Sequence, residues 1–135
     1  MMIFLVIIIL VVIVLWVILT HLYEKSLVED VDISRLREKL TPVFPELKKL
    51  KLMKGNSSYI INKYRVFICL RDKKTNVLYD DNMLVYVILH ELAHAKCHEI
   101  GHTKLFKQIF FNLLDRAETY GLYDPSLPRP NDYCK

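Results

Sequence analysis

The chain begins MMIFLVIIILVVIVLWVIL, nineteen consecutive apolar side chains, and every charged residue lies after Thr20. At about 1.5 Å per residue, a helix of that length covers roughly 28 Å, close to the hydrocarbon thickness of a bilayer. It has no polar face, so it cannot be one side of an amphipathic core helix. Trp16 and Tyr23 fall where interfacial aromatic residues sit. The rival reading is a cleaved signal peptide. Such peptides have a basic start, a shorter apolar segment and small residues at the cleavage site. Here no Lys or Arg precedes the run, and the first Ala is Ala93. Residues 1–22 are therefore expected to form an uncleaved transmembrane anchor, with residues 2–20 in the membrane.

The remainder of the chain suits one small domain. Residues 23–33 read as a juxtamembrane linker, 34–122 as the domain and 123–135 as a Pro-containing, irregular tail. The positive-inside rule counts Lys and Arg beside the membrane. Lys25, Arg35, Arg37 and Lys39 come after the apolar run and none precedes it. A single-pass protein with a cytosolic domain is expected. Cys69, Cys97 and Cys134 are odd in number and show no disulfide pattern, which agrees with that side.

Ser34 is expected to cap a short helix over Arg35–Leu40, ended by Pro42. A strand is expected within 48–54, then a turn at Gly55-Asn56-Ser57-Ser58. Residues 59–70 (YIINKYRVFICL) read as a strand with Tyr64, Val66, Ile68 and Leu70 on one face. Val77-Leu78-Tyr79 is a candidate short hairpin partner for it. Asp80, Asp81 and Asn82 offer a helix start, and Met83–Leu89 is apolar on every face, as in a buried helix. Gly101 is the expected stop. A second, amphipathic helix is expected from about Thr103 to Tyr120, with Leu105, Phe106, Ile109, Phe110, Leu113, Leu114 and Ala117 as its apolar stripe. The fold class is α+β: a short sheet, a buried helix and an amphipathic helix behind a membrane anchor.

The buried helix continues directly into His90-Glu91-Leu92-Ala93-His94. Histidines four apart share one helical face, with about 5–6 Å between β-carbons, so both imidazoles can reach one tetrahedral ion. Zinc suits nitrogen donors, and a catalytic site takes three protein ligands and keeps one position open. Glu91 points to the adjacent side, where it can take a proton from water without coordinating the metal. Chance is the rival explanation. Two histidines and a carboxylate at the end of an apolar helix are costly unless paired or metal-bound. Four of the five histidines also fall within residues 90–102. Zn2+ is the expected cofactor, His90 and His94 its ligands and Glu91 the catalytic base. For the third ligand, His102 lies beyond Gly101, where the chain can turn back. Glu118 on the second helix, His98 and Glu99 are the alternatives.

The segment HELAHAKCHEIGHTKLF resembles the active-site region of the SprT and WLM group of zinc peptidases, within the zincin class. The resemblance covers residues 80–111. It implies His90, His94 and His102 as metal ligands, Glu91 as general base and Phe106 as a packing residue. It also implies a zincin-like sheet whose edge strand near the cleft pairs with an extended protein or peptide substrate; residues 77–79 are a candidate. The chain is similar as well to small, uncharacterised peptidase-like proteins of large DNA viruses. It departs from the SprT group in a short His94-to-His102 spacing and in carrying an apolar run in place of that group's DNA-binding extensions, so the resemblance implies the chemistry rather than the substrate.

Peptide hydrolysis also needs a donor for the oxyanion; Tyr120, Tyr123 and Tyr133 are candidates by type. Cys97 reads as a packing residue, and Cys134 as a tail thiol able to reach the metal. Residues 48–74 hold nine Lys or Arg and one acid, Asp72. Such a cluster can contact anionic lipid or nucleic acid, or be a solvated face. Three functions compete: a membrane-anchored zinc peptidase, a catalytically silent zincin-fold binding module, and a membrane-tethered structural or interaction protein using its basic region. An intact Glu91 favours the first.

Overall fold

The computed structural model describes residues 1–27 and 29–135. Helix α1 (Met2–Leu27) opens the chain, and its Met2–Tyr23 segment is long and apolar enough to cross a membrane. None of that segment is buried against the rest of the protein. Helix α2 (Val31–Leu40) comes soon after. The expected linker over 23–33 is thus mostly helical, and its residue 28 lies outside the described residues. Asp30 caps α2 in place of Ser34, accepting a hydrogen bond from the Asp32 amide at 2.9 Å. The buried face starts at Ile33 and continues through Leu36 and Leu40, so the helix must begin a turn earlier than Arg35.

A 3-10 turn at Pro45–Lys49 leads into strand β1 (Lys51–Lys54), then β2 (Tyr59–Ile61) and β3 (Arg65–Ile68). The sheet order is β1-β3-β2, with β1 parallel and β2 antiparallel to β3. The single strand expected over 59–70 is therefore two strands. Asn62 and Lys63 both take positive φ, 52° and 55°, and the Tyr64 amide donates to the Ile61 carbonyl at 3.1 Å. Asn62 and Lys63 thus form the centre of a tight turn whose twist suits a hairpin, and Tyr64 completes a three-residue loop, since Ile61 pairs with Arg65. The apolar composition of the run hid it, because Asn-Lys is a weaker turn signal than Asn-Gly. Within β3 the alternation holds, with Val66 and Ile68 buried, but Tyr64, expected on the same face, is exposed at the hairpin turn, and beyond β3 both Cys69 and Leu70 are buried.

From β1 the chain must cross the end of β3 to reach β2. It does so at Gly55, whose amide donates to the Ile68 carbonyl at 2.9 Å. A β-carbon there would stand 2.9 Å from Phe67 Cβ and 3.0 Å from the Ser57 carbonyl. Gly55→Ala is expected to destabilise the fold by about 1–3 kcal/mol, since neither neighbour is the free end of a side chain. A thermal melt of the full chain in detergent checks this; an unchanged Tm would contradict the crossing geometry.

Helix α3 (Asp81–Lys96) is central. It packs on β2 and β3 on one side and on α4 (Lys104–Thr119) on the other. Asp80 caps α3, accepting from the Met83 amide at 2.8 Å. From Met83 to Leu89 the helix is buried at every position but the half-buried Tyr86, close to what its composition predicts. Helix α4 buries Phe106, Phe110, Leu113 and Ala117 on one stripe, with Leu105, Ile109 and Leu114 at its margins. Thr103 and Tyr120 cap it at the expected ends. The molecule is thus a mixed α+β fold of helices and one small three-stranded sheet.

Residues 77–79 do return as a partner, but only for one bridge, Arg71 with Leu78. The Asp72 carboxylate closes the turn by accepting from the amides of Lys74 and Thr75 at 2.9 and 2.8 Å. The cysteine expectation needs correction. Cys69 and Cys134 are bonded across 65 residues of sequence, and Cys97 is free and buried. A pair that distant leaves no local spacing pattern to read. The disulfide removes the cysteine argument for a reducing compartment. It also commits the Cys134 sulfur that had been a candidate to reach the metal.

Candidate metal centre

Helix α3 ends at Lys96, a turn before Gly101, and Cys97 leaves it in an extended conformation. The expected stop at Gly101 is instead the point of return. Its φ of 84° is open to glycine at little cost and brings the chain back over the helix. His102 comes next. Its Nε2 lies 3.1 Å from His94 Nε2 and 3.1 Å from His90 Nε2. The donor atoms of all three rings lie within 4.8 Å of one another. Two nitrogens bound tetrahedrally to zinc at about 2.0–2.1 Å stand about 3.3 Å apart. The imidazole cluster therefore has the spacing and chemistry to hold one metal ion.

The other third-ligand candidates lie apart from this cluster. Glu99 accepts from Thr103 Oγ1 at 2.9 Å and braces the loop before α4. His98 and Glu118 are exposed, and among the described residues neither joins the converging donors. Glu118 sits in the last turn of α4, a helix length from His102.

Phe106 is the packing residue that holds the rings. Its centroid is 4.2 Å from His94, 4.8 Å from His102 and 5.1 Å from His90, and Phe110 adds an edge contact to His90. This apolar support has an electrostatic consequence. Burial, then the neighbouring His94 and His102, pushes His90 down to about 4. Burial first, with His102 and Lys63 behind it, lowers His94 too. Neutral imidazole is the form that binds metal.

Glu91 is 4% exposed, and burial alone pushes its carboxyl up to about 7. A group poised there is matched to proton transfer near neutral pH. A dication beside it would favour the ionised form.

In the metal-free protein, the His90 ring is expected to stay neutral from pH 7 down to pH 5, read from its ring proton shifts by NMR. A titration near the ordinary 6.5 would contradict its burial against Phe106 and Phe110. The linked stability signs are opposite. His90 stabilises fully above about 6.5 and loses that contribution as pH falls towards 4. Glu91 stabilises fully below about 4.5 and loses it as pH rises to about 7.

A cleft of about 530 Å³ opens in front of these residues. One wall is Ile100, Gly101 and His102; the other is Ser58, Tyr59, Ile60 and the hairpin turn Asn62-Lys63. That wall is β2, an edge strand with one side unpaired. The edge strand at the cleft is therefore 59–61, and the candidate 77–79 is displaced from that role. Sequence reasoning missed it because the β-branched and aromatic residues on both sides of Asn62-Lys63 read as one strand over 59–70. Lys63 donates to the Cys97 carbonyl, tying the hairpin turn to the end of α3.

The tail also reaches the site. Tyr133 Oη donates to the Cys69 carbonyl at 2.6 Å and shares a 2.7 Å hydrogen bond with Ser58 Oγ, a cleft residue. Burial first, with charge from Tyr79 and Glu91 also contributing, pushes its phenol up to about 12. Of the tyrosines considered as oxyanion donors, Tyr133 is thus closest in influence, and its hydroxyl is committed to bracing Ser58. Tyr123 is buried and accepts from Arg129 at 2.8 Å, and Tyr120 is exposed at the end of α4.

The chain is similar to uncharacterized protein 136R of Invertebrate iridescent virus 6, at 46% identity over 90 residues, covering 65% of this chain and 51% of that protein. It is 45% identical over 85 residues to uncharacterized protein 042R of Invertebrate iridescent virus 3, covering 63% and 54%. Uncharacterized protein R325 of Acanthamoeba polyphaga mimivirus is 39% identical over 96 residues, covering 65% and 49%. The chain spans about half the length of the curated relatives it matches. No protein-family profile matches it, and no solved structure does.

Proposed function

We propose that this protein is a membrane-anchored zinc peptidase of zincin type. The observation that carries the reading is the convergence of His90, His94 and His102 with a buried carboxylate, Glu91, one position from the first ligand. Bound zinc supplies a Lewis acid that polarises a carbonyl and acidifies water. Glu91 takes the proton from the attacking water and returns it to the leaving amine. The free edge of β2 offers backbone groups to an extended peptide, holding the scissile bond in the cleft. A silent binding module has no need of a buried carboxylate at position 91.

In this reading Met2–Tyr23 is a single-pass anchor. The Lys and Arg beyond it put the domain on the cytosolic side. The Cys69–Cys134 bond points the other way, since such bonds persist mainly in oxidising compartments. We give precedence to the charge bias, which draws on several residues beside the membrane. An impermeant protease added to intact cells should leave the domain uncut.

The test is hydrolysis of a quenched-fluorescence peptide library by the full chain in detergent. Activity should be lost with a zinc chelator and restored by zinc. Activity that survives complete metal removal would sink the proposal.

A further inference from the structure

The sheet has an outer face that is open to solvent at Tyr59, Ile61 and Arg65 and half-buried at Lys51, Met53 and Phe67. Register sets Lys51 beside Arg65, Met53 beside Phe67, Tyr59 beside Phe67 and Ile61 beside Arg65. Leu52, Val66 and Ile68 face the core, so these alternate residues face out. Tyr59 stacks on Phe67 with centroids 4.7 Å apart. The face is therefore apolar and aromatic at its centre, with cations set into it.

Beside it runs a groove of about 740 Å³, with Lys48, Lys51 and Lys54 along it and Phe67 and Tyr64 in its lining. The same groove is bordered by Glu29 and Asp30. Glu29 is fixed there by Arg37, whose Nε and Nη2 lie 2.7 and 2.6 Å from its carboxylate. Arg37 is itself held by the carbonyls of Leu47 and Leu50. The apolar segment ends at Tyr23, six residues before Glu29. Even a fully extended chain spans at most about 21 Å over six residues. A residue locked against the groove is thus tethered within that reach of the membrane surface.

We propose that this outer face and the groove beside it dock on an anionic bilayer surface, with Lys51 and Arg65 of the face and Lys48 and Lys54 of the groove against acidic lipid headgroups and Met53, Tyr59 and Phe67 at the headgroup boundary. The proposal rests on reading Met2–Tyr23 as a membrane anchor. Charge complementarity and the short tether name the occupant: each lysine near an anionic leaflet contributes about a fivefold preference, and the tether removes most of the cost of bringing the surfaces together. Docking also bears on substrate class. Strand β2 belongs to both sites, with Tyr59 on the outer face and its free edge in the cleft. A docked sheet holds the cleft at the bilayer, where the peptides within reach are extended segments adjoining the membrane.

The experiment uses the full chain in nanodiscs, labelled with a fluorophore at Tyr64→Cys and quenched by nitroxide-headgroup lipid. Quenching should be at least about threefold stronger with about one-third phosphatidylserine than with phosphatidylcholine alone. That difference should vanish in a Lys48→Glu/Lys51→Glu/Lys54→Glu variant, and at about 0.5 M salt. Unchanged circular dichroism and zinc content in the variant show that it is folded. Equal quenching in both discs overturns the proposal, as does a phosphatidylserine response that persists in the folded variant. If the chain ignores phosphatidylserine yet binds a single-stranded oligonucleotide through the same lysines, the face belongs to nucleic acid and the proposal is wrong. Flotation of the full chain with neutral vesicles separates the two readings. A chain that fails to float loses the anchor and the docking together; one that floats without responding to phosphatidylserine loses the docking alone.

Discussion

Glu91→Gln is expected to keep zinc at the parent level and to lower peptide hydrolysis by about 10²–10⁴-fold. The substitution preserves shape in a site where Glu91 is 4% exposed, so packing changes little. It removes the group that accepts and returns the proton. It also removes a carboxyl that burial holds near 7, so the variant should be no less stable than the parent in the metal-free state above that pH. Zinc content by mass spectrometry and peptide turnover on the same preparation check both halves. Retained zinc with undiminished turnover would mean that another group moves the proton.

His102→Ala is expected to weaken zinc binding by at least ~100-fold, while Glu118→Ala leaves it unchanged. His102 Nε2 stands 3.1 Å from both other ring nitrogens, and it rides on the loop that Gly101 turns back. The loss should appear in stability as well, because a metal that binds only the folded state stabilises it by mass action. The parent chain should melt several degrees higher with zinc than with chelator, and His102→Ala should show no such difference. A Glu118→Ala chain that loses zinc would move the third ligand to α4.

Much of this site was legible in the residues. His90 and His94 needed only helical periodicity, and the apolar run Met83–Leu89 announced a helix that had to be buried. His102 was reachable because Gly101 is the one residue in that loop free to take a positive φ and turn the chain back. The cleft's opposite wall was not legible. Asn62-Lys63 sits inside an apolar, β-branched run, and nothing local marks it as a hairpin turn, so β2 vanished into β3. The start of α2 shifted for a related reason: Ile33 is core, and a helix face is set by burial that a capping preference at Ser34 does not outweigh. The tail was the furthest from view. Its hold on the site runs through Tyr133, Ser58 and a Cys69–Cys134 bond spanning 65 residues, contacts that only the folded chain brings together.

Whether His90, His94 and His102 make a zinc site is tested most directly by zinc K-edge absorption. The sample is the full chain, purified without added metal and with zinc content measured in parallel. About one zinc per chain is expected, with three imidazole nitrogens at about 2.0–2.1 Å and one light-atom position from solvent. A chain that holds no zinc even after adding it back, or a zinc with sulfur in its shell, would contradict the three-histidine centre.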